Sequence, residues 1–284
     1  MATDDTREMR STGRRKRAMW GTAVGVVALV TLAAGLRVYG LDDESVWYDE
    51  YITIAFTDAP SLSACIAEQR HWDWYMVPLY HTLQYFWAGL VDGSALGVRW
   101  LSVLFGLATV PVLFGLARRL YGTWAAAIAG LLYAMSPFMI FHAQGIRSYA
   151  LNCFLAMLAL YAFWRAVDGG GRRWWLINFV ANTLLIWTHV FGVLLWSVQG
   201  VFLLLFRLRP WRRFLLWNGV HLLMLVPLAL WLATMKSGVG PQPPMPTLGM
   251  LVSSCINKDA ELLRNIEGML HMTGARELLS EPVQ

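Results

Sequence analysis

Charge is scarce in this 284-residue chain: Asp, Glu, Lys and Arg together supply 14% of positions, against 57% hydrophobic residues. So small a polar complement cannot coat a water-soluble domain of this length, and a mean hydropathy of +0.47 points to lipid as the solvent. Cysteine is nearly missing. Cys65, Cys153 and Cys255 show no CxxC or metal-ligand spacing, so neither a redox motif nor a metal site is written in them. Cys153 lies in an apolar run and reads as a small core residue. Cys65 and Cys255 both fall on the predicted oxidising side, where a disulfide stays open because a sequence carries no bond geometry. A Gly-rich phosphate loop is also lacking, since Gly169-Gly170-Gly171 follows no strand. The net charge of +5 is not gathered into a basic stripe interleaved with aromatics, so no nucleic-acid partner is expected. Nor does any apolar run carry a central acid or base of the kind that ion-coupled transport uses.

What the chain has instead is a series of apolar runs. The first, from about Met19 to Leu36, follows the cluster Arg14-Arg15-Lys16-Arg17 and is long enough to cross a hydrocarbon core of about 30 Å. A cleaved signal peptide competes with this reading, but the run is long for one and Ala33-Ala34-Gly35 makes a poor cleavage site. Further runs centre near residues 108, 132, 157, 182, 198 and 224, which predicts a polytopic all-α bundle of about seven spans. Connectors holding Arg118-Arg119, then Arg165 with Arg172-Arg173, then Arg207 to Arg213 alternate with less basic ones. The positive-inside rule then places the N-terminus in the cytoplasm of a multi-pass cell inner-membrane protein. The expected divisions are a basic cytoplasmic segment 1–18, a transmembrane module 19–235 with an external loop 38–96, and an external or truncated segment 236–284.

Three places at the predicted external face could hold chemistry. The first is the pair Asp49-Glu50 inside Trp47-Tyr48-Asp49-Glu50-Tyr51. A carboxylate there can take a proton from an acceptor hydroxyl, although most such pairs are simply solvated. The second is Ser136 to Leu151, where His142, Gln144, Arg147 and Tyr149 crowd a short turn. A boundary arginine needs a partner; a phosphate group, an acid of the first loop or snorkelling to water would each serve. The third is Met76 to His81, at the start of a predicted interfacial amphipathic helix over Leu79–Leu90, where Tyr80 and His81 could line a polar pocket or join the aromatic belt. The chain's 15 Trp and 10 Tyr suit such a boundary.

In this order, the three places resemble the GT-C glycosyltransferases of the dolichyl-phosphate-mannose protein mannosyltransferase superfamily. That group includes bacterial enzymes like the lipid A aminoarabinose transferase. The resemblance rests on Asp49-Glu50, Pro78-Leu79-Tyr80, Arg99-Trp100-Leu101-Ser102 with Gly106, Ser136-Pro137-Phe138, and Gln144, Arg147 and Tyr149, and covers about residues 20–235. It implies a GT-C fold and an inverting transfer of a sugar from a polyprenyl-phosphate donor to a protein, lipid or cell-wall glycan acceptor on the external face. Asp49 would be the base, Glu50 its positioning partner or a sugar ligand, and Arg147 the clamp on the phosphate, helped by Gln144 and Tyr149. Tyr80, His81 and His142 would complete the pocket. No cofactor follows from the residues, and a divalent metal stays open. Two departures stand out: Gly145 where the family usually has an acid, and Met76-Val77 where His-Pro is common. Family members also carry further spans, so the chain reads as a fragment, a minimal module or one needing a partner. A non-catalytic relative that binds polyprenyl-phosphate lipid or joins a transferase assembly is the alternative, and a membrane transporter the more distant one.

Overall fold

Helices account for all regular structure among the described residues of the computed structural model, which are 2–43, 45–72, 76–91, 93–206 and 211–233. In chain order they are α1 (Ala2–Val38), α2 (Tyr48–Thr57), α3 (Leu62–Trp72), α4 (Leu79–Ala88), α5 (Ala95–Tyr121) and α6 (Thr123–Met135). Then follow α7 (Pro137–Gln144), α8 (Tyr149–Val167), α9 (Arg172–Thr188), α10 (Gly192–Phe206) and α11 (Trp211–Ala233). Cys255 and the segment from 236 onward lie outside the described residues.

The all-α expectation holds, but the count of about seven spans does not. Four helical stretches among the described residues are long and apolar enough to cross a membrane: Met19–Val38, Ala95–Tyr121, Tyr149–Val167 and Leu215–Ala233. A fifth exists if α6 and α7, bent by 56° at their junction, form one broken crossing. The reason for the discrepancy is length. The runs near 132, 182 and 198 are apolar, yet they fold into helices of 13, 17 and 15 residues. At about 1.5 Å per residue none of these alone covers the roughly 30 Å of hydrocarbon. Arginine-bearing connectors therefore mark the ends of long helices such as α5 and α8 and of short ones such as α9 alike. The outward sides of these helices suit lipid all the same: Val27, Leu132, Leu205 and Leu223 are exposed, a distribution that water would penalise.

Small residues set the spacing of the bundle. A Cβ at Gly106 would lie 2.9 Å from the Cβ of Ala143 and 3.2 Å from Arg37 Nε, and one at Gly130 would lie 2.7 Å from Leu29 Cδ1. These glycines let α1, α5, α6 and α7 close on one another, as small residues do at membrane helix interfaces. Ala33, Val110, Tyr133 and Ala134 fill the resulting core. On the other side of α5, Tyr80, Leu151, Leu155 and Leu185 join α4, α8 and α9. Polar side chains fasten the later helices. Asn178 Nδ2 donates to Gln199 Oε1 at 2.9 Å, Asn182 Nδ2 to the same oxygen at 3.0 Å, and Trp217 Nε1 to Asn178 Oδ1 at 2.9 Å.

Two local features shape the site. The break between α6 and α7 is encoded by Ser136-Pro137: Ser136 is extended, its Oγ accepts from Met139 N at 3.4 Å, and Pro137 opens α7. The carbonyls left without helical donors are taken by Arg37 of α1, fully buried, whose Nη1 donates to Ala134 O at 3.2 Å and Nη2 to Tyr133 O at 3.3 Å. The second feature is α4, which forms where the apolar spacing predicts it. Its buried residues are the polar Tyr80, His81 and Gln84, while Phe86 is exposed. The helix thus presents a hydrogen-bonding face to the protein and leaves the Phe86 ring outward.

Candidate active site

Asp49 and Glu50 fall in the first turn of α2, where acids are favoured by the helix dipole. Consecutive helical residues point about 100° apart, and the two carboxylates meet different environments. Glu50 turns inward and is 2% exposed. Its Oε1 accepts from Ile146 N at 2.6 Å, and its Oε2 lies 3.5 Å from Arg99 Nη2. Asp49 keeps 35% side-chain exposure, and its Oδ2 lies 3.7 Å from Arg147 Nη2. Arg147 itself is 5% exposed. The pair is thus accessible from the acid's side and desolvated on the cation's side, which strengthens any charge the guanidinium meets.

A cavity of about 600 Å³ opens at this point. Arg147, Tyr149, His142, Gln144 and Gly145 line one wall, and Glu50 faces them with Trp47, Ser45, Asp43 and Tyr39. The imidazole of His142 sits 4.5 Å from the Tyr149 ring and 4.3 Å from that of Phe138. Five of the residues singled out in the sequence therefore meet on one surface: Glu50, His142, Gln144, Arg147 and Tyr149. Tyr80 and His81 do not reach it. They are fully buried behind it, where Gln84 Nε2 donates to Tyr80 Oη at 2.7 Å, and Tyr80 Oη and the Arg147 carbonyl each lie 3.5 Å from Ser102 Oγ. Burial pushes the Tyr80 phenol up to about 12, so it serves this chain of contacts as a neutral hydroxyl.

Gln144 has a structural use as well. Its Nε2 donates to the carbonyls of Arg37 at 3.1 Å and Tyr39 at 2.9 Å, tying the end of α1 to α7. Its amide donors are thereby occupied in this arrangement. Among the described residues no group of three or more His, Cys, Asp or Glu side chains is placed to hold a metal ion.

Sequence reasoning gave Arg99 no role at the site. Its Nη1 donates to Leu41 O at 2.8 Å and its Nη2 to Ser45 O at 3.3 Å, besides facing Glu50. It therefore clamps the start of the first loop onto α5. The signal was present: an arginine opening an apolar run is as expensive as Arg147 and demands a carboxylate in the same way. His189, at the end of α9, is a second such residue. Burial and then the nearby Arg147 charge hold its imidazole below the ordinary histidine range.

Gly145 explains how the missing acid is accommodated. A Cβ there would lie 3.2 Å from Glu50 Oε1, so the Glu50 carboxylate already fills the space beside residue 145. Because that oxygen is held by Ile146 N, it has little room to yield. Gly145→Ala is expected to destabilise the fold by about 1–3 kcal/mol, read as a lowered midpoint of thermal unfolding in detergent; an unchanged midpoint would show that Glu50 moves freely.

Glu50 also makes stability depend on pH. Burial raises its pKa, opposed by the Ile146 N–H and by Arg99, so the folded state binds the proton more tightly than the unfolded chain. The associated stability is present in full below the ordinary carboxylate value and is lost as pH rises through the raised one. Glu50→Gln should flatten this decline when unfolding midpoints are compared from about pH 4 to about pH 8. A wild-type and variant pair with parallel pH profiles would assign the decline to another group.

Residues 76–234, more than half of the chain, match the family model described as dolichyl-phosphate-mannose-protein mannosyltransferase. No curated protein is similar enough to be matched to this chain. The matched stretch contains Arg99, His142, Gln144, Arg147 and Tyr149 but begins after Asp49 and Glu50, so the acidic pair enters the site through geometry alone. Membership of that family points in general terms to polyprenyl-phosphate-dependent glycosyl transfer, and the helical, multi-pass architecture accords with it. The chain belongs to the dolichyl-phosphate-mannose-protein mannosyltransferase family.

Proposed function

We propose that the chain transfers a sugar, with inversion, from a polyprenyl-phosphate donor to a hydroxyl of a protein, lipid or cell-wall glycan acceptor on the external face of the inner membrane. The observation that carries this reading is the Asp49–Arg147 pair, 3.7 Å apart, in which Arg147 lines a cavity of about 600 Å³ and Asp49 stands next to its lining residue Glu50. It sets a base and an anion clamp within one sugar's width of each other. Asp49 takes the acceptor proton as the new bond to the anomeric carbon forms. The bond from that carbon to the phosphate oxygen breaks, and its electrons leave on polyprenyl phosphate. Arg147 neutralises the charge growing there, and the guanidinium fork suits a phosphate. Tyr149 adds a hydroxyl to the same wall. Glu50 holds Ile146 and Arg99, and so fixes the turn that carries Arg147 against the first turn of α2, which carries Asp49.

The second reading is a relative that binds the lipid without transfer; Gly145, standing where the family usually has an acid, favours it. One experiment separates the two. The full chain is reconstituted in nanodiscs with a panel of radiolabelled polyprenyl-phosphate sugars, and envelope glycans are compared by mass spectrometry with and without the gene. Donor binding together with loss of one glycan supports transfer. Binding with no glycan lost supports the second reading, and no binding of any polyprenyl-phosphate sugar overturns both.

A further inference from the structure

A second polar cavity lies at the opposite end of the bundle. α5 carries Arg99 and Ser102 at its candidate-site end and Arg118-Arg119 in its last turn; α8 runs in the same sense from Tyr149 to Arg165. The 19 residues of α8 separate the two regions by roughly 28 Å. Between these far ends is a cavity of about 480 Å³, lined by Gly115, Arg118, Arg119, Tyr161, Arg165 and Asp168. Three guanidiniums against one carboxylate leave an excess of two positive charges.

The cations are arranged, not merely collected. Arg119 places Nε at 3.0 Å and Nη2 at 2.9 Å from one oxygen of Asp168, which fixes its plane. Arg165 lies over the Trp174 ring at 4.5 Å and the Tyr161 ring at 5.9 Å, so its guanidinium is held without an acid. Arg118 is exposed and has no ion-pair or hydrogen-bond partner among the described residues. Gly115 packs against the Tyr161 ring on the same lining. Solvated arginines at a membrane surface need neither stacking platforms nor a cavity.

We infer that this cavity binds the phosphate headgroup of an anionic membrane lipid. Its level in the bundle supplies the reason for a lipid. Tyr121 and Trp124, at the junction of α5 and α6 beside it, are 78% and 85% exposed, as aromatic rings are at a water–lipid boundary. Ile128 and Leu132 continue the exposed apolar side of α6 from that point. A headgroup entering here leaves its acyl chains in hydrocarbon, whereas a soluble phosphate gains nothing from that surface. Basic pockets between membrane helices are suited to such headgroups. This inference does not rest on the transferase reading, because it uses none of the residues of the first cavity.

The test uses the full chain in nanodiscs of phosphatidylcholine with and without phosphatidylglycerol, and native mass spectrometry to count retained lipids. Phosphatidylglycerol should be retained with an affinity roughly tenfold above phosphatidylcholine, falling about fivefold in Arg118→Gln and further when Arg165→Gln is added. Arg118→Gln removes an exposed, unpaired charge, so the fold survives it, and binding of a polyprenyl-phosphate sugar at the other end should be unchanged. Equal retention of the two lipids, or retention of phosphatidylglycerol that both variants leave intact, overturns the inference. So does displacement of the lipid by millimolar inorganic phosphate, which would assign the cations to a soluble anion.

Discussion

Arg147→Ala is expected to reduce sugar transfer by about 10²–10³-fold, the loss typical when a charge-stabilising donor is removed from a transition state. Arg147 is nearly buried, lines the cavity and faces Asp49, so an incoming phosphate replaces water poorly supplied there by a fixed cation. The same residue braces the loop, because its Nη1 lies 3.5 Å from the Asp49 carbonyl, and a drop in unfolding midpoint will accompany the change. Donor binding separates the roles. Arg147→Lys keeps the charge and loses the planar fork, so it should restore donor affinity in part and leave turnover well below wild type. If Arg147→Ala binds a polyprenyl-phosphate sugar as the wild type does, the clamp is elsewhere.

Asp49→Asn should show the opposite division. Loss of the base is expected to lower kcat by about 10²–10⁴-fold. Donor affinity should hold or tighten, because the substitution removes a negative charge 3.7 Å from the guanidinium that the phosphate must otherwise compete with. Some stability should be lost as well, since the substitution takes a carboxylate from beside a nearly buried guanidinium. A merely structural Asp49 would instead weaken binding and turnover together. The split is read by measuring Kd for the donor and kcat on the same preparation in nanodiscs, and a variant that retains full kcat removes Asp49 from the chemistry.

The site was legible in the sequence to the extent that its residues share one short turn. His142, Gln144, Arg147 and Tyr149 are close in the chain, so their convergence follows from the end of α7 and the start of α8. The resemblance already divides the roles of Asp49 and Glu50; the contacts that set the two apart were not legible. Adjacent residues look equivalent on the page, and only the direction of α2 shows that one turns to Ile146 and Arg99 while the other stays accessible. Gln144 looked like a phosphate ligand because it is polar and near Arg147; the carbonyls of Arg37 and Tyr39 that engage it lie more than a hundred residues earlier. For the fold, the apolar runs located each of the four long apolar stretches. They overcounted spans because hydropathy measures how apolar a run is, whereas crossing a bilayer depends on how far the helix extends before Ser136-Pro137, Gly171 or His189 interrupts it.

Arg37 makes the first helix a precondition for the break on which the cavity is built. In hydrocarbon, each backbone carbonyl without a donor is penalised by several kcal/mol, so the kinked α6–α7 junction cannot persist in lipid until an arginine stands beside Tyr133 and Ala134. That arginine stands 97 residues ahead of Ala134 in the chain. The first helix is therefore part of the same hydrogen-bonded unit as the α6–α7 junction. The portable unit for grafting or minimisation consequently starts before Arg37, well upstream of residue 76 where the family match begins.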